Sequence, residues 1–178
     1  YGMRQAGIEI IDLRHEAAAM YAAIAYTRGS GKPVVVVTTA GPGVINTTPA
    51  MIEAMELGVP LLHIGGAVVA NARDAGPLQD MSTLSIMESC SKWARKITST
   101  SRIPEYVTLA FRQAYDAAPG PVYLEAPADY LTMTVEDSEV NWPSKGRTHA
   151  IPFGDPALVD AAAELLVKAQ RPAAVIAD

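Results

Sequence analysis

Val34 to Thr38 reads V-V-V-V-T, closed by Gly31-Lys32-Pro33 on one side and by Gly41-Pro42-Gly43 soon after on the other. So short a run of β-branched residues predicts a strand. Its lack of polar alternation suits a strand covered on both faces, as in a parallel sheet. Upstream, Ala17 to Arg28 reads A-A-A-M-Y-A-A-I-A-Y-T-R, strong helix formers with no Gly or Pro. Gly31 supplies a left-handed cap and Pro33 blocks continuation. Before that helix, Ile8 to Leu13 predicts a short buried strand. Downstream, the pattern predicts a helix over Val44–Leu57, a strand over Val59–Ile64, and a polar loop from Gly65-Gly66 through Pro77. A helix over Met81–Cys90 and a strand over Trp93–Ile97 follow. Pro104 then opens a helix whose Ile103, Val107, Ala110, Phe111, Ala114 and Ala118 recur at helical spacing. Val122 to Glu125 predicts one more strand. Strands alternating with helices indicate an α/β fold, a parallel sheet with helices on both faces.

From Pro127 to Gly154 the periodicity lapses, and Asp155-Pro156 then reads as a cap and first turn. The expected organisation is one domain over 1–131, a linker over 132–154, and the start of a second domain over 155–178. In that start, a helix carries Leu158, Val159, Ala162, Leu165, Leu166 and Ala169, and Arg171 to Ala177 reads as a strand. The opening residue, Tyr1, suggests a piece trimmed from a longer chain.

Charge and cysteine usage narrow the function classes. A net charge of −5 with no basic stripe argues against a nucleic-acid surface and against anionic membranes. The single cysteine, Cys90, forms no internal disulfide, so a cytoplasmic setting is expected. No apolar run approaches the roughly 20 residues of a membrane span.

Gly31-Lys32 is not a P-loop: Tyr26 stands where its first glycine belongs, and Pro33 follows the lysine. Gly41-Pro42-Gly43 opens a helix after a strand, the place for an anion site, yet Asn46 occupies the last glycine of G-x-G-x-x-G. A nucleotide-binding turn and a plain tight turn both stay open there. His15, His63 and His149 are scattered, and no metal site is expected. Cys90 and Trp93 read as core; Lys92, Asp74 and Asp80 read as solvated charges. Glu16 has two readings. An acid in a first turn gains about 0.3–1 kcal/mol from the helix dipole. If instead the alanine-rich side faces inward, Glu16 is shielded from solvent and its pKa rises. The helix dipole opposes that rise, and the residues alone leave the sign open.

In continuous order, R-H-E-A-A-A, G-K-P-V-V-V-V-T-T-A-G-P-G-V-I-N, V-P-L-L-H-I-G-G, L-Q-D, S-K-W-A-R-K-I and P-G-P-V-Y-L-E-A-P-A-D run from about Ile8 to Leu131. This series resembles the thiamine-diphosphate enzymes of the acetolactate synthase, benzaldehyde lyase and 2-hydroxyacyl-CoA lyase group, in their N-terminal pyrimidine-binding domain. The resemblance implies a domain lacking its first helix and strand, followed by entry into a central domain. It implies that Glu16 is catalytic, hydrogen-bonding a ring nitrogen of the cofactor's aminopyrimidine so that its imino form can activate the thiazolium carbon. Pro42, Gly43 and Asn46 match the turn beside that ring, and Gln79 matches a glutamine at the substrate end. The synthases more often read F-Q-E where this chain reads L-Q-D, which leaves the lyase and decarboxylase branches open.

The implied cofactors are thiamine diphosphate and Mg2+, the metal and diphosphate held by a C-terminal domain outside this chain, with FAD admitted as a further cofactor. The implied substrate is a 2-oxo acid or 2-hydroxyacyl compound. The implied assembly is a homodimer or homotetramer with shared active sites, and this piece alone would be inactive. The rivals are a nucleotide-binding α/β domain and a non-catalytic assembly subunit.

Overall fold

A computed structural model describes residues 2–143 and 153–175. The chain forms two compact units, Tyr1–Arg147 and Thr148–Asp178. In the first, the elements are α1 (Gly2–Gln5), α2 (Glu16–Ser30), β1 (Val35–Thr38), α3 (Pro42–Ile45), α4 (Thr48–Glu56), β2 (Leu62–Ala67), α5 (Thr83–Cys90), β3 (Trp93–Lys96), α6 (Ile103–Tyr115), β4 (Val122–Pro127) and α7 (Ala128–Thr132). The strands pair in parallel in the order β1-β2-β4-β3.

Successive strand residues point to opposite faces, and β4 shows both. Tyr123 joins Met20 and Ile24 of α2, Val44 of α3, Met51 of α4 and Met87 of α5 on one face. Val122 and Leu124 meet Ala110 and Ala114 of α6 on the other. Helices therefore lie on both faces of a parallel sheet, the predicted α/β class. On α2 the buried residues are Met20, Ala23, Ile24 and Thr27, a single stripe at helical spacing. Gly31, at φ 67°, ends the helix by donating its N–H to the Thr27 carbonyl.

Five expectations are corrected in this unit. Residues 8–13 form no strand, and Ile8, Ile10, Ile11 and Leu13 are exposed. Apolar residues alone do not make a strand: its backbone groups need a neighbouring ladder, and the sheet order places none beside this segment. Second, β1 is covered on one face only. Val36 and Thr38 are buried while Val35 and Val37 are exposed, because α6 packs over β4, β2 and β3. Third, the helix predicted over 44–57 is two helices. Pro49, at the start of α4, has no N–H to give and its ring crowds the carbonyl four residues back, so the chain turns at Asn46-Thr47. Fourth, Gly65 and Gly66 belong to β2, and the segment from Val59 to Leu61 forms the approach to it. The helix α6 also stops at Tyr115, leaving Ala118 beyond its end.

In the second unit, α8 (Pro156–Lys168) is capped as predicted, with the Asp155 carboxylate accepting the Ala157 N–H at 2.8 Å. Residues 171–175 form no strand, a ladder again being absent among the described residues. The remainder of that predicted strand, 176 and 177, and residues 144–152 of the predicted linker lie outside the described residues.

A β-carbon on Gly65 would stand 2.5 Å from Val44 Cγ2 and 2.6 Å from Tyr123 Oη, so α3 rests on bare backbone there. Gly65→Ala should cost about 1–3 kcal/mol in urea unfolding of the full-length protein. Gly29→Ala, in open space on α2, should stabilise by about 0.5–1 kcal/mol. Equal effects at the two sites would contradict this packing.

His63 on β2 is wholly buried, and burial pushes its imidazole down to about 3. An unfolded histidine titrates near 6.5. Between those values the unfolded chain binds the extra proton, so this stability is complete above about 6.5 and lost as pH falls toward 3. Unfolding free energy should drop by about 2 kcal/mol from pH 7 to pH 5, and His63→Phe should flatten that dependence.

Candidate functional site

The site lies at the carboxyl ends of β1 and β2, where glycines let three chain segments approach. A β-carbon on Gly66 would stand 3.1 Å from the Ala40 nitrogen, so its absence lets the segment leaving β1 cross over β2. Gly41 follows at φ 59°, ψ −113°, a conformation that glycine adopts and side chains resist. A β-carbon there would stand 2.9 Å from both Cβ and the carbonyl oxygen of Gln79. Gly41 is thus the contact that brings Gln79 to this turn. Gly43 closes the approach on the other side, where a β-carbon would lie 2.6 Å from Thr39 Cγ2 and 3.5 Å from Glu16 Oε1.

The break before Pro49 makes Asn46 the last residue of the α3 turn. From there its Nδ2 donates to Glu16 Oε2 at 3.1 Å. The structure therefore brings Glu16, Gly43 and Asn46 into direct proximity, with Gln79 joined through Gly41. Pro42 is exposed on the same turn.

Glu16 opens α2 behind His15, whose Nδ1 accepts the Ala17 N–H at 3.1 Å and caps the helix. The Glu16 carboxyl is held below the usual carboxylate range, first by the Asn46 amide and then by its own backbone N–H, with His15 adding a little. The raised pKa of a solvent-shielded acid is not what this chain provides by itself. Glu16 is half-buried, and the buried stripe of α2 begins at Met20, so the carboxylate stays at the chain's surface.

The phosphate-cradle reading of Gly41-Pro42-Gly43 is also corrected. Pro42 has no N–H. Gly43 donates to the Ala40 carbonyl, and Val44 and Ile45 donate to that of Gly41. The amides an anion would need are engaged within the turn, and α3 has only four residues.

Gln79 holds φ 68°, a left-handed conformation that costs a side-chain-bearing residue energy. Its loop is pinned at three points. The Asp80 carboxylate accepts the Asp74 N–H at 2.7 Å. The Asp129 carboxylate accepts the Ala70 N–H at 3.2 and 3.3 Å. Arg73 reaches Glu125 at 3.6 Å. Glu125 is wholly buried on β4 and accepts the Thr83 hydroxyl at 2.8 Å. Sequence reasoning missed this anchor. An acid inside the apolar strand V-Y-L-E was the available signal, and its partner Arg73 lies too far along the chain to be found by spacing.

Cys90 is buried and its thiol is pushed up by burial, as suits a core residue. Trp93 packs against the α6 cluster. Lys92 is not simply solvated, since its ammonium donates to the Asp116 carbonyl. Asp80, likewise, closes a loop. Among the described residues no three His, Cys, Asp or Glu side chains come close enough to hold a metal, and no helix is long and apolar enough to cross a membrane.

Residues 1–86 match a family described as thiamine pyrophosphate enzyme, N-terminal TPP binding domain. The chain is 40% identical over 125 residues to 2-hydroxyacyl-CoA lyase 2 of Danio rerio, covering 70% of this chain and 20% of that protein. It is 34% identical over 134 residues to the mitochondrial acetolactate synthase of Schizosaccharomyces pombe, covering 75% and 20%. It is 36% identical over 143 residues to the acetolactate synthase large subunit of Lactococcus lactis, covering 80% and 24%. These alignments span about a fifth of the length of the curated relatives.

Asn46→Ala removes the largest influence that lowers the Glu16 pKa. Carboxyl NMR titration should show Glu16 moving upward toward the ordinary glutamate value near 4.3. An unmoved titration would show that the Asn46 contact is absent in solution.

Proposed function

For a chain whose residues 1–86 place it among the thiamine pyrophosphate enzymes, we propose that the Glu16 site serves thiamine-dependent C–C bond cleavage or formation. The substrate would be a 2-oxo acid or a 2-hydroxyacyl compound. One observation carries this reading: a carboxylate oriented by Asn46 faces Gly43, a position with no side chain.

The residues fit the aminopyrimidine end of thiamine diphosphate. Glu16 offers a carboxylate and Gly43 leaves room beside it. Ala17 and Ala18 present only methyl groups on the adjacent turn. When bound, the cofactor supplies an electron sink for breaking or forming a bond next to a carbonyl. The protein's part is to hold and share a proton at Glu16. As it stands, that carboxyl is ionised near neutral pH and ready to accept. Closing water out would favour its neutral form, so that a proton could reside on either side of the hydrogen bond. Asn46 keeps the carboxylate aimed while this happens. Gln79, fixed by the Gly41 contact and the pinned loop, is assigned to the substrate end.

The water exclusion is assigned to a second copy of the enzyme, as a homodimer or homotetramer with shared sites. Apolar exposure on α2 and α4 supports this: Tyr21 and Tyr26 on α2, and Ile52 and Met55 on α4, are 41–52% exposed. Magnesium and the diphosphate are assigned to a part of the enzyme outside this chain, and no residue here is assigned to FAD. The cytoplasmic setting rests on the single cysteine alone.

In the full-length enzyme, Glu16→Gln should leave the fold and oligomeric state intact and cut turnover by about 10²–10⁴. Circular dichroism and a steady-state assay on a 2-oxo acid and on a 2-hydroxyacyl substrate would measure both. Turnover at the wild-type level would refute the assignment.

A further inference from the structure

His63 takes no part in that chemistry, yet it contacts both ends of the segment that carries Pro42, Gly43 and Asn46. Its Nε2 lies 3.0 Å from Thr38 Oγ1, on the last residue of β1. Its Nδ1 lies 3.5 Å from Thr47 Oγ1, at the start of α4. Thr47 in turn donates its hydroxyl proton to the Val44 carbonyl in α3 at 2.7 Å. All three side chains are buried.

The proton inventory fixes the directions. A threonine hydroxyl has one proton. That of Thr47 is given to Val44, so toward His63 it can only accept. Nδ1 is therefore the nitrogen that carries hydrogen. Nε2 of a neutral ring is then an acceptor, and Thr38 donates to it. The chain runs one way, from the Thr38 hydroxyl through His63 and Thr47 to the Val44 carbonyl. Both ring nitrogens are occupied, and Tyr123 packs beside the ring at 5.2 Å between centroids. That phenol is a titratable side chain in contact with the ring, and burial pushes its pKa up and keeps it protonated.

We infer that His63 is a positioning residue: a neutral, Nδ1-protonated clip that fastens Thr38 to Thr47 and so sets the turn that aims Asn46 at Glu16. The inference rests on the proposed role of Glu16 for its consequence, while the clip itself stands on the hydrogen bonds. Removing the ring would leave the two ends of the 39–46 segment without their side-chain link to each other. Asn46 and Gly43 would then have to be ordered when thiamine diphosphate binds, at a cost in affinity.

Two measurements on the full-length enzyme test this. Nitrogen-15 spectra of labelled histidine, assigned by the peak lost in His63→Gln, should show an Nδ1-protonated ring that does not titrate between pH 8 and 5. An Nε2-protonated ring, or a midpoint near 6.5, would overturn the clip. Separately, thiamine diphosphate with Mg2+ is titrated by intrinsic fluorescence and by activity. His63→Leu and Thr38→Val should raise the half-saturating concentration about tenfold and lower kcat by a smaller factor. His63→Gln, whose amide both donates and accepts, should recover part of the loss. A folded His63→Leu enzyme with wild-type half-saturation would overturn the inference. If His63→Leu does not fold, Thr38→Val and the ring spectrum decide. If the wild-type enzyme binds no thiamine diphosphate, the cofactor reading fails, and the ring spectrum still judges the clip.

Discussion

The structure depends on one close approach, where α3 lies against the carboxyl end of the sheet on backbone that carries no side chain. Gly65 admits Val44 and Tyr123, and Gly66 admits the segment at Ala40. Glycine is needed at both because the competing atoms are backbone or rigid core and cannot move aside. Once α3 is seated there, Gly43 falls opposite Glu16 and Asn46 reaches its carboxylate. A bulkier strand end would lift α3 and separate the acid from its amide partner.

Around that contact, buried polar side chains tie together segments of the chain. His63 joins two threonines, and Glu125 joins Thr83 and Arg73. Each such group fixes two segments distant in sequence. Hydrophobic packing gives the sheet and helices their stability, but it is weakly directional. Hydrogen bonds in a low-dielectric interior are directional, and an unmade one there is costly. The polar pairs therefore set where the 38–47 turn and the 70–80 loop sit. Both segments belong to the proposed site.

Glu16 illustrates how far one chain goes toward chemistry. Its position, its orienting partner and its small neighbours are in place. Its protonation is not, because the carboxylate faces water and Asn46 stabilises the charged form. The described residues do not by themselves provide the environment that would reverse this. In the proposed reading a second subunit would supply that environment, and the acid would stay charged until it did.

The sequence by itself determined the class of fold. The valine run, the alanine-rich helix and the glycine and proline punctuation act over a few residues, and each gave the right kind of element. It also singled out Glu16, Pro42, Gly43, Asn46 and Gln79 through family resemblance. It misjudged Ile8–Leu13 and the second face of β1, because strand pairing and face coverage depend on neighbours elsewhere in the chain. It read through Pro49, although that proline makes the turn that frees Asn46. Only the tertiary structure decided that Asn46 meets Glu16, that Thr38 and Thr47 meet His63, and that Arg73 meets Glu125. Such contacts join residues from 16 to 52 positions apart. No local preference encodes them; sheet order and the glycine-permitted approach of backbones do.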